Sequence, residues 1–246
     1  MRYSRLHAFT LIELLVSIAV IAILLGLAAP ALRSVRESAT EIRVLAGLRD
    51  AGVSFTQYAQ SYQGYNPWAA SFEPLYVEPP EIASGYISTN LPWQLSSHWP
   101  CLFHEIAPWV THFRSWLTSL DDRDPQRPWV SDAGGSGVPS FHYPRSFLAR
   151  PGIWGRGAPA DPERLIAATR IDEVVFPANK ALLFDATRAY IRRPLKPDEP
   201  RAVLAADGAA SMRRDSAAHG PVQNWLLSPS PAVYHDTANG VRGRDF

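Results

Sequence analysis

An intramolecular disulfide is excluded at the outset. The chain has one cysteine, Cys101, among 246 residues, and a chain of this length can build a core without cross-links. The same scarcity rules out a four-cysteine zinc site and a CxxC redox pair, and a lone cysteine serves more often as a small buried hydrophobe than as a nucleophile. Charge of one sign is also lacking: the formal net charge is +1. The densest basic cluster, Arg192 and Arg193 with Lys196, is diluted by Asp198 and Glu199, so no nucleic-acid partner is expected. Proline is nearly absent from the first quarter, where Pro30 stands alone before Pro67. Tryptophan is wholly absent there, since all 8 lie between Trp68 and Trp225. The phosphate-binding fingerprints GxGxxG and GxxxxGK[ST] are missing too, so no nucleotide cofactor is expected.

What is present divides in two. With 46% hydrophobic and 19% charged residues, the bulk is ordinary globular material with room for one domain and an appended segment. The segment is the stretch Phe9–Ala29, in which Glu13 is the only ionisable side chain. As a helix it is about 30 Å long, enough to cross a hydrocarbon core. A secretory signal peptide is the rival reading, with Arg2 and Arg5 as its basic start and a mature N-terminus near residue 30. Signal peptides, however, carry shorter apolar runs of about 7–15 residues. Arg33, Arg36 and Arg43 follow the segment, so loop charge does not orient it.

Beyond Pro30 the helical pattern continues. Leu32, Val35, Ala39, Ile42 and Ala46 form one apolar stripe, and Leu48, Gly52, Phe55, Ala59 and Tyr62 form a second after a change of register. Pro30 is expected to kink the helix rather than end it. Gly64 and Asn66-Pro67 supply the stop. The expected rod is on the order of 80 Å, half in lipid and half on a soluble domain.

Glu13 has two readings. It can snorkel from the end of the span to the headgroups, or it can pair with a partner, as intramembrane ionisable residues commonly do. Here the residues themselves point to a family. The run "FTLIELLVSIAVIAILLGLAAPAL", preceded by a short basic leader, resembles the N-terminus of type IV prepilins and of type II secretion pseudopilins. The resemblance implies a leader at 1–8 cut by a prepilin peptidase between Ala8 and Phe9, with N-methylation of Phe9. It also implies that Glu13 pairs with the N-terminal amine of a neighbouring subunit during assembly. Ala8 stands where that family usually has glycine. An unpaired carboxylate in hydrocarbon costs several kcal/mol, so such a pair would penalise wrong registers strongly.

The implied layout is α+β and pilin-like: leader 1–8, transmembrane helix 9–29, extramembrane continuation 30–62 and head 63–246. The implied partners are the membrane, prepilin peptidase, other pilin or pseudopilin subunits and assembly platform proteins of the inner membrane. The implied location is the bacterial inner membrane, single-pass, with the head in the periplasm or outside the cell as part of a filament. The alternative class is a membrane-tethered extracytoplasmic enzyme or ligand-binding module acting alone.

In the head, His104–Leu120 has helical spacing, Gly134–Tyr143 reads as a loop entering a strand, and Pro162–Val175 begins with a proline suited to a helix start. Lys180–Arg193 and Arg201–Arg214 read as strands around a "PLKPDEP" hairpin loop, and Asp207-Gly208 is able to turn the second segment back on itself. That "ADG" hairpin and the tail "NGVRGRDF" are similar to features of larger pseudopilins. No catalytic or metal residue is expected. His98, His104 and His112 lack the HExxH spacing, and Asp121–Pro125 lacks the alternation of a calcium loop. "GGSGV" around Ser136 fails as a nucleophile elbow, and Asp185 and Asp207 read as turn formers after strands. The tryptophans supply either core or an exposed binding surface.

Overall fold

A computed structural model describes residues 11–68, 93, 95–103, 106, 140–188, 191, 194–226 and 231–246. The chain forms two compact units, Met1–Ile42 and Arg43–Phe246. The boundary falls within a single helix, α1 (Leu11–Ser61), which contains Pro30 and is not ended by it. The helix stops where expected. Gln63 and Gly64 take positive φ of 53° and 84°, and the Gly64 N–H donates to the Ala59 carbonyl at 2.7 Å. This left-handed closure satisfies a carbonyl that the last turn would otherwise leave open.

In the second unit α1 buries Val44, Gly47, Leu48, Ala51, Ser54, Phe55, Tyr58 and Ala59, at steps of three and four that keep them on one face. Phe55 is the hub of this face. Its ring centroid lies 5.2 Å from Trp99, 4.9 Å from Phe103 and 5.1 Å from Tyr143. Trp99 and Phe103 belong to a 3-10 turn, Trp99–Phe103, that follows the four-residue helix α2 (Leu95–His98). The buried Trp99 indole donates to the Phe141 carbonyl at 2.8 Å, as a fully enclosed indole N–H must.

The sheet has four antiparallel strands in chain order: β1 (Phe141–His142), β2 (Ala181–Asp185), β3 (Arg201–Ala205) and β4 (Ala210–Arg213). Leu183, Ala202 and Leu204 join the α1 core. Ala181, Phe184 and Val203 turn the other way and pack with Tyr234 and Phe246 from the C-terminal segment. The sheet is therefore covered on both faces, which explains why β2 and β3 read as continuous apolar runs rather than alternating ones.

The β3–β4 hairpin turns at the expected place. Gly208 has φ +89° and donates to the Ala205 carbonyl at 2.9 Å, a three-residue loop that ends in a left-handed glycine. The β2–β3 pairing across the "PLKPDEP" loop is also as expected, though β2 stops at Asp185 rather than running on.

Pro162–Val175 does not form a helix. It contains only the 3-10 turns Glu163–Leu165 and Ile171–Glu173. The residues between them pair instead with the chain leaving α1: Arg170 bridges Tyr65, and the Asn66 N–H donates to the Thr169 carbonyl at 2.9 Å. Tertiary pairing here outweighs a weak local propensity. The helical stretch expected at His104–Leu120 lies outside the described residues, apart from Ile106.

Candidate functional site

The apolar part of α1 is exposed all round. Leu11 is 81% exposed and Leu27 72%, and Leu14, Leu15 and Val16 are exposed in succession. Its most apolar window has a mean hydropathy of 2.8, with none of it buried. A helix that is apolar on every face belongs in a protein core or in lipid, and the chain's own core does not take this one. Leu11–Ala29 spans about 28 Å at 1.5 Å per residue, matching a bilayer's hydrocarbon thickness.

Glu13 is the only ionisable side chain in the apolar part of this helix. Ser17, one turn on, donates its hydroxyl to the Glu13 carbonyl at 2.7 Å. The serine is thus satisfied within the helix and does not spend its donor on the carboxylate. Ala8 and Phe9 lie outside the described residues.

The first of the two expected stripes is exposed along its length. Leu32, Val35 and Ile42 are exposed, Ile42 at 67%, whereas Val44 is 1% exposed. Ile42 and Val44 are two residues apart, on nearly opposite sides of a helix. The change of register therefore comes before Val44, not after Ala46. Within Leu32–Ile42, Arg33 and Glu37 form an exposed pair at 3.3 Å, one turn apart, a geometry of small stabilisation.

The head's candidate residues divide by placement. The side chains of His98 and Cys101, together with His104, His112, Asp121–Pro125 and Ser136, lie outside the described residues. Asp185 and Asp207 are turn formers, as expected. The Asp185 Oδ1 accepts from the Thr187 and Arg188 N–H groups at 3.2 and 2.9 Å, and the Asp207 Oδ1 accepts from Ala209 at 2.9 Å. Such carboxylates mimic a backbone turn. Trp99 and Trp154 are core, while Trp225 is exposed. Among the described residues no group of three or more His, Cys, Asp or Glu is placed to hold a metal.

Two buried polar groupings were not legible from motifs. Ser96 Oγ lies 3.5 Å from His235 Nδ1, and the Arg145 N–H donates to the same nitrogen at 3.4 Å. Burial first, then the charge of Arg145, holds the His235 pKa well below its ordinary value. The ring is therefore a neutral acceptor enclosed in the core. In the second grouping Lys180, fully buried, meets Asp245 Oδ2 at 3.3 Å and donates to Thr237 Oγ1 at 2.6 Å. The Ala181 N–H also donates to Asp245 Oδ2, at 2.8 Å. The signal for this second grouping was a charged pair, Lys180 and Asp245, each beside residues that pattern as core.

Residues 4–29 match the prokaryotic N-terminal methylation motif, the prepilin-type cleavage and methylation signal of type IV pilins and pseudopilins. The match includes Ala8, Phe9 and Glu13 and ends at the last residue of the apolar run. Over that stretch the chain is similar to precursors of pilin and pseudopilin type, and the motif implies processing by prepilin peptidase and assembly with other pilin-type subunits. The motif and the single apolar N-terminal helix fit a single-pass inner-membrane protein. No curated protein and no solved structure matches the chain.

Proposed function

We propose that the chain is a structural subunit of a type IV pilus-like or type II secretion pseudopilus filament, assembled through its N-terminal helix. The leader 1–8 is removed between Ala8 and Phe9, and Phe9 is N-methylated. Residues 9–29 span the inner membrane and 30–62 continue the helix outside it. The head, 63–246, stands in the periplasm or at the cell exterior. In the filament, Glu13 pairs with the terminal amine of a neighbouring subunit and fixes the axial stagger. Assembly platform proteins of the inner membrane feed subunits into the structure.

One observation carries this reading: the exposed apolar stretch of α1 holds a single carboxylate, Glu13, inside the matched motif. The exposed row Leu32, Val35 and Ile42 adds to it, because a helix destined for helix neighbours keeps an apolar face free beyond the span. The hairpin at Asp207-Gly208 and the tail from Asn239 favour a secretion pseudopilin over a pilus subunit.

The test is mass analysis of the N-terminus of protein extracted from membranes. A methylated phenylalanine at position 9 supports the reading. An intact Met1, or a start near Ala31, overturns it.

A further inference from the structure

A cleft of about 350 Å³ opens where α1 ends, lined by Tyr58, Tyr62, Tyr65 and Trp68 together with Ser61 and Gln63. Two of its rings are exposed, and each is held by a neighbour on one face. Tyr62, 40% exposed, stacks on the buried Tyr58 with ring centroids 4.3 Å apart and planes 25° from parallel. Tyr65, 38% exposed, has the Arg170 guanidinium 5.1 Å from its ring centre. Arg170 is held in turn by Asp172 at 3.1 Å.

The backbone that carries these rings is fixed as well. The Tyr65 N–H donates to the Tyr62 carbonyl at 2.9 Å, and the Asn66 N–H donates to the Thr169 carbonyl at 2.9 Å. The Asn66 side-chain amide donates to the Thr169 hydroxyl at 3.0 Å. Rings ordered before a ligand arrives cost little to order when it binds.

The lining selects the ligand. None of the described residues lining the cleft carries a charge, so nothing there compensates an anion or a cation. Polar side chains interleave with the rings along the chain: Ser61 and Gln63 flank Tyr62, and Asn66 follows Tyr65. Hydroxyl and amide groups of this kind both donate and accept, and the negative face of an aromatic ring attracts the positive end of a polarised C–H bond. A pyranose ring offers both complements, a face of polarised C–H bonds and a rim of hydroxyls. The volume is at the small end for small-molecule sites, which suits one or two such rings. We propose that this cleft binds a neutral mono- or disaccharide, stacked on Tyr62 and Tyr65. A proline-rich peptide also packs on tyrosines, but it needs an extended groove. No lining residue belongs to the motif at 4–29, so occupancy does not depend on filament assembly.

The test uses the full-length protein in a detergent without a sugar headgroup. Cellobiose, maltose and N,N′-diacetylchitobiose are the separate probes, each up to about 20 mM, where millimolar affinity is read directly. Saturation-transfer NMR shows which probe protons touch the protein, and calorimetry gives the affinity. At least one probe is expected to bind with its ring C–H protons saturated. Tyr62→Ala and Tyr65→Ala should each weaken it about tenfold, while Tyr62→Phe, which keeps the ring, should hold affinity to within about threefold. Tyr62 is exposed, so its variants should keep the parent's unfolding midpoint to within about 2 °C. Failure of all three sugars to bind, or binding that survives both alanine variants, overturns the proposal. So does hexaproline binding at these rings when the sugars do not.

Discussion

Gly52 on α1 lies against Leu204 on β3 so closely that an added Cβ would stand 2.7 Å from Leu204 Cδ2. Leu204 is fully buried. Its side chain packs directly on the glycine, which has a packing role rather than a conformational one.

Gly52→Val is therefore expected to destabilise the head by about 1–3 kcal/mol, the usual cost of overpacking a filled core. The gain in helix propensity recovers only a fraction of that. Thermal unfolding of the two proteins measures it, and an unchanged midpoint would show that the contact is slack.

Removing Asp245 strands a buried ammonium. Asp245→Ala leaves Lys180 enclosed with Thr237 as its remaining close polar contact, at an expected cost of about 3–5 kcal/mol. Replacing both residues with apolar ones of similar volume is expected to recover most of the loss, since the pair's net contribution is small beside its desolvation. Denaturant unfolding of the single and double variants checks both statements.

Two buried groups make the stability of the head respond to pH in opposite directions. His235 has a folded pKa well below 6.5, so its contribution to stability is complete above 6.5 and falls as pH drops below that value. The slope approaches about 1.4 kcal/mol per pH unit. Asp185, raised to about 6 by burial, does the reverse. Its contribution is complete below about 3.8 and is lost as pH rises through 6, on the order of 3 kcal/mol in all. His235→Gln should flatten the acid side of the stability profile, and Asp185→Asn should remove the loss between pH 4 and 6. Unfolding midpoints across pH 4–8 measure both slopes, and parallel profiles for variant and parent would refute the assignment.

Two exposed positions on α1 separate assembly from folding. Ile42→Asp places a charge on the row Leu32, Val35 and Ile42 without touching the buried face, so head stability should stay within about 0.5 kcal/mol. Glu13→Ala should likewise spare the head while leaving a neighbour's amine without its counter-charge. Both variants are expected to insert in the membrane and to yield about tenfold less sheared or cross-linked filament. Normal filament yield from Glu13→Ala would sink the pairing.

Much of this molecule was legible because its signals are long or chemically singular. A 21-residue apolar run with one acid has few interpretations, and Asp207-Gly208 names its turn through the only residue that takes φ +89° without strain. The face of α1 from Leu48 to Ala59 was visible in its spacing. The free row at Leu32–Ile42 was misplaced because periodicity shows that a face is apolar without saying what covers it. Pro162–Val175 misled for a related reason: its partner, Tyr65–Asn66, lies a hundred residues away in sequence and leaves no local trace. Ser96 near His235 unites residues from separate elements with no motif spacing to announce them.

The charge that balances Lys180 comes from Asp245, far downstream of it in the chain. Synthesis runs from the other end, so α1 emerges and can engage a bilayer while the sheet still lacks the strap over its second face. Until Asp245 is delivered, an ammonium must stay in water and the strand beginning at Ala181 cannot settle. Engaging a bilayer before the head closes thus follows from the order of residues, and the head should stay open, and vulnerable to proteases, until Asp245 has been made.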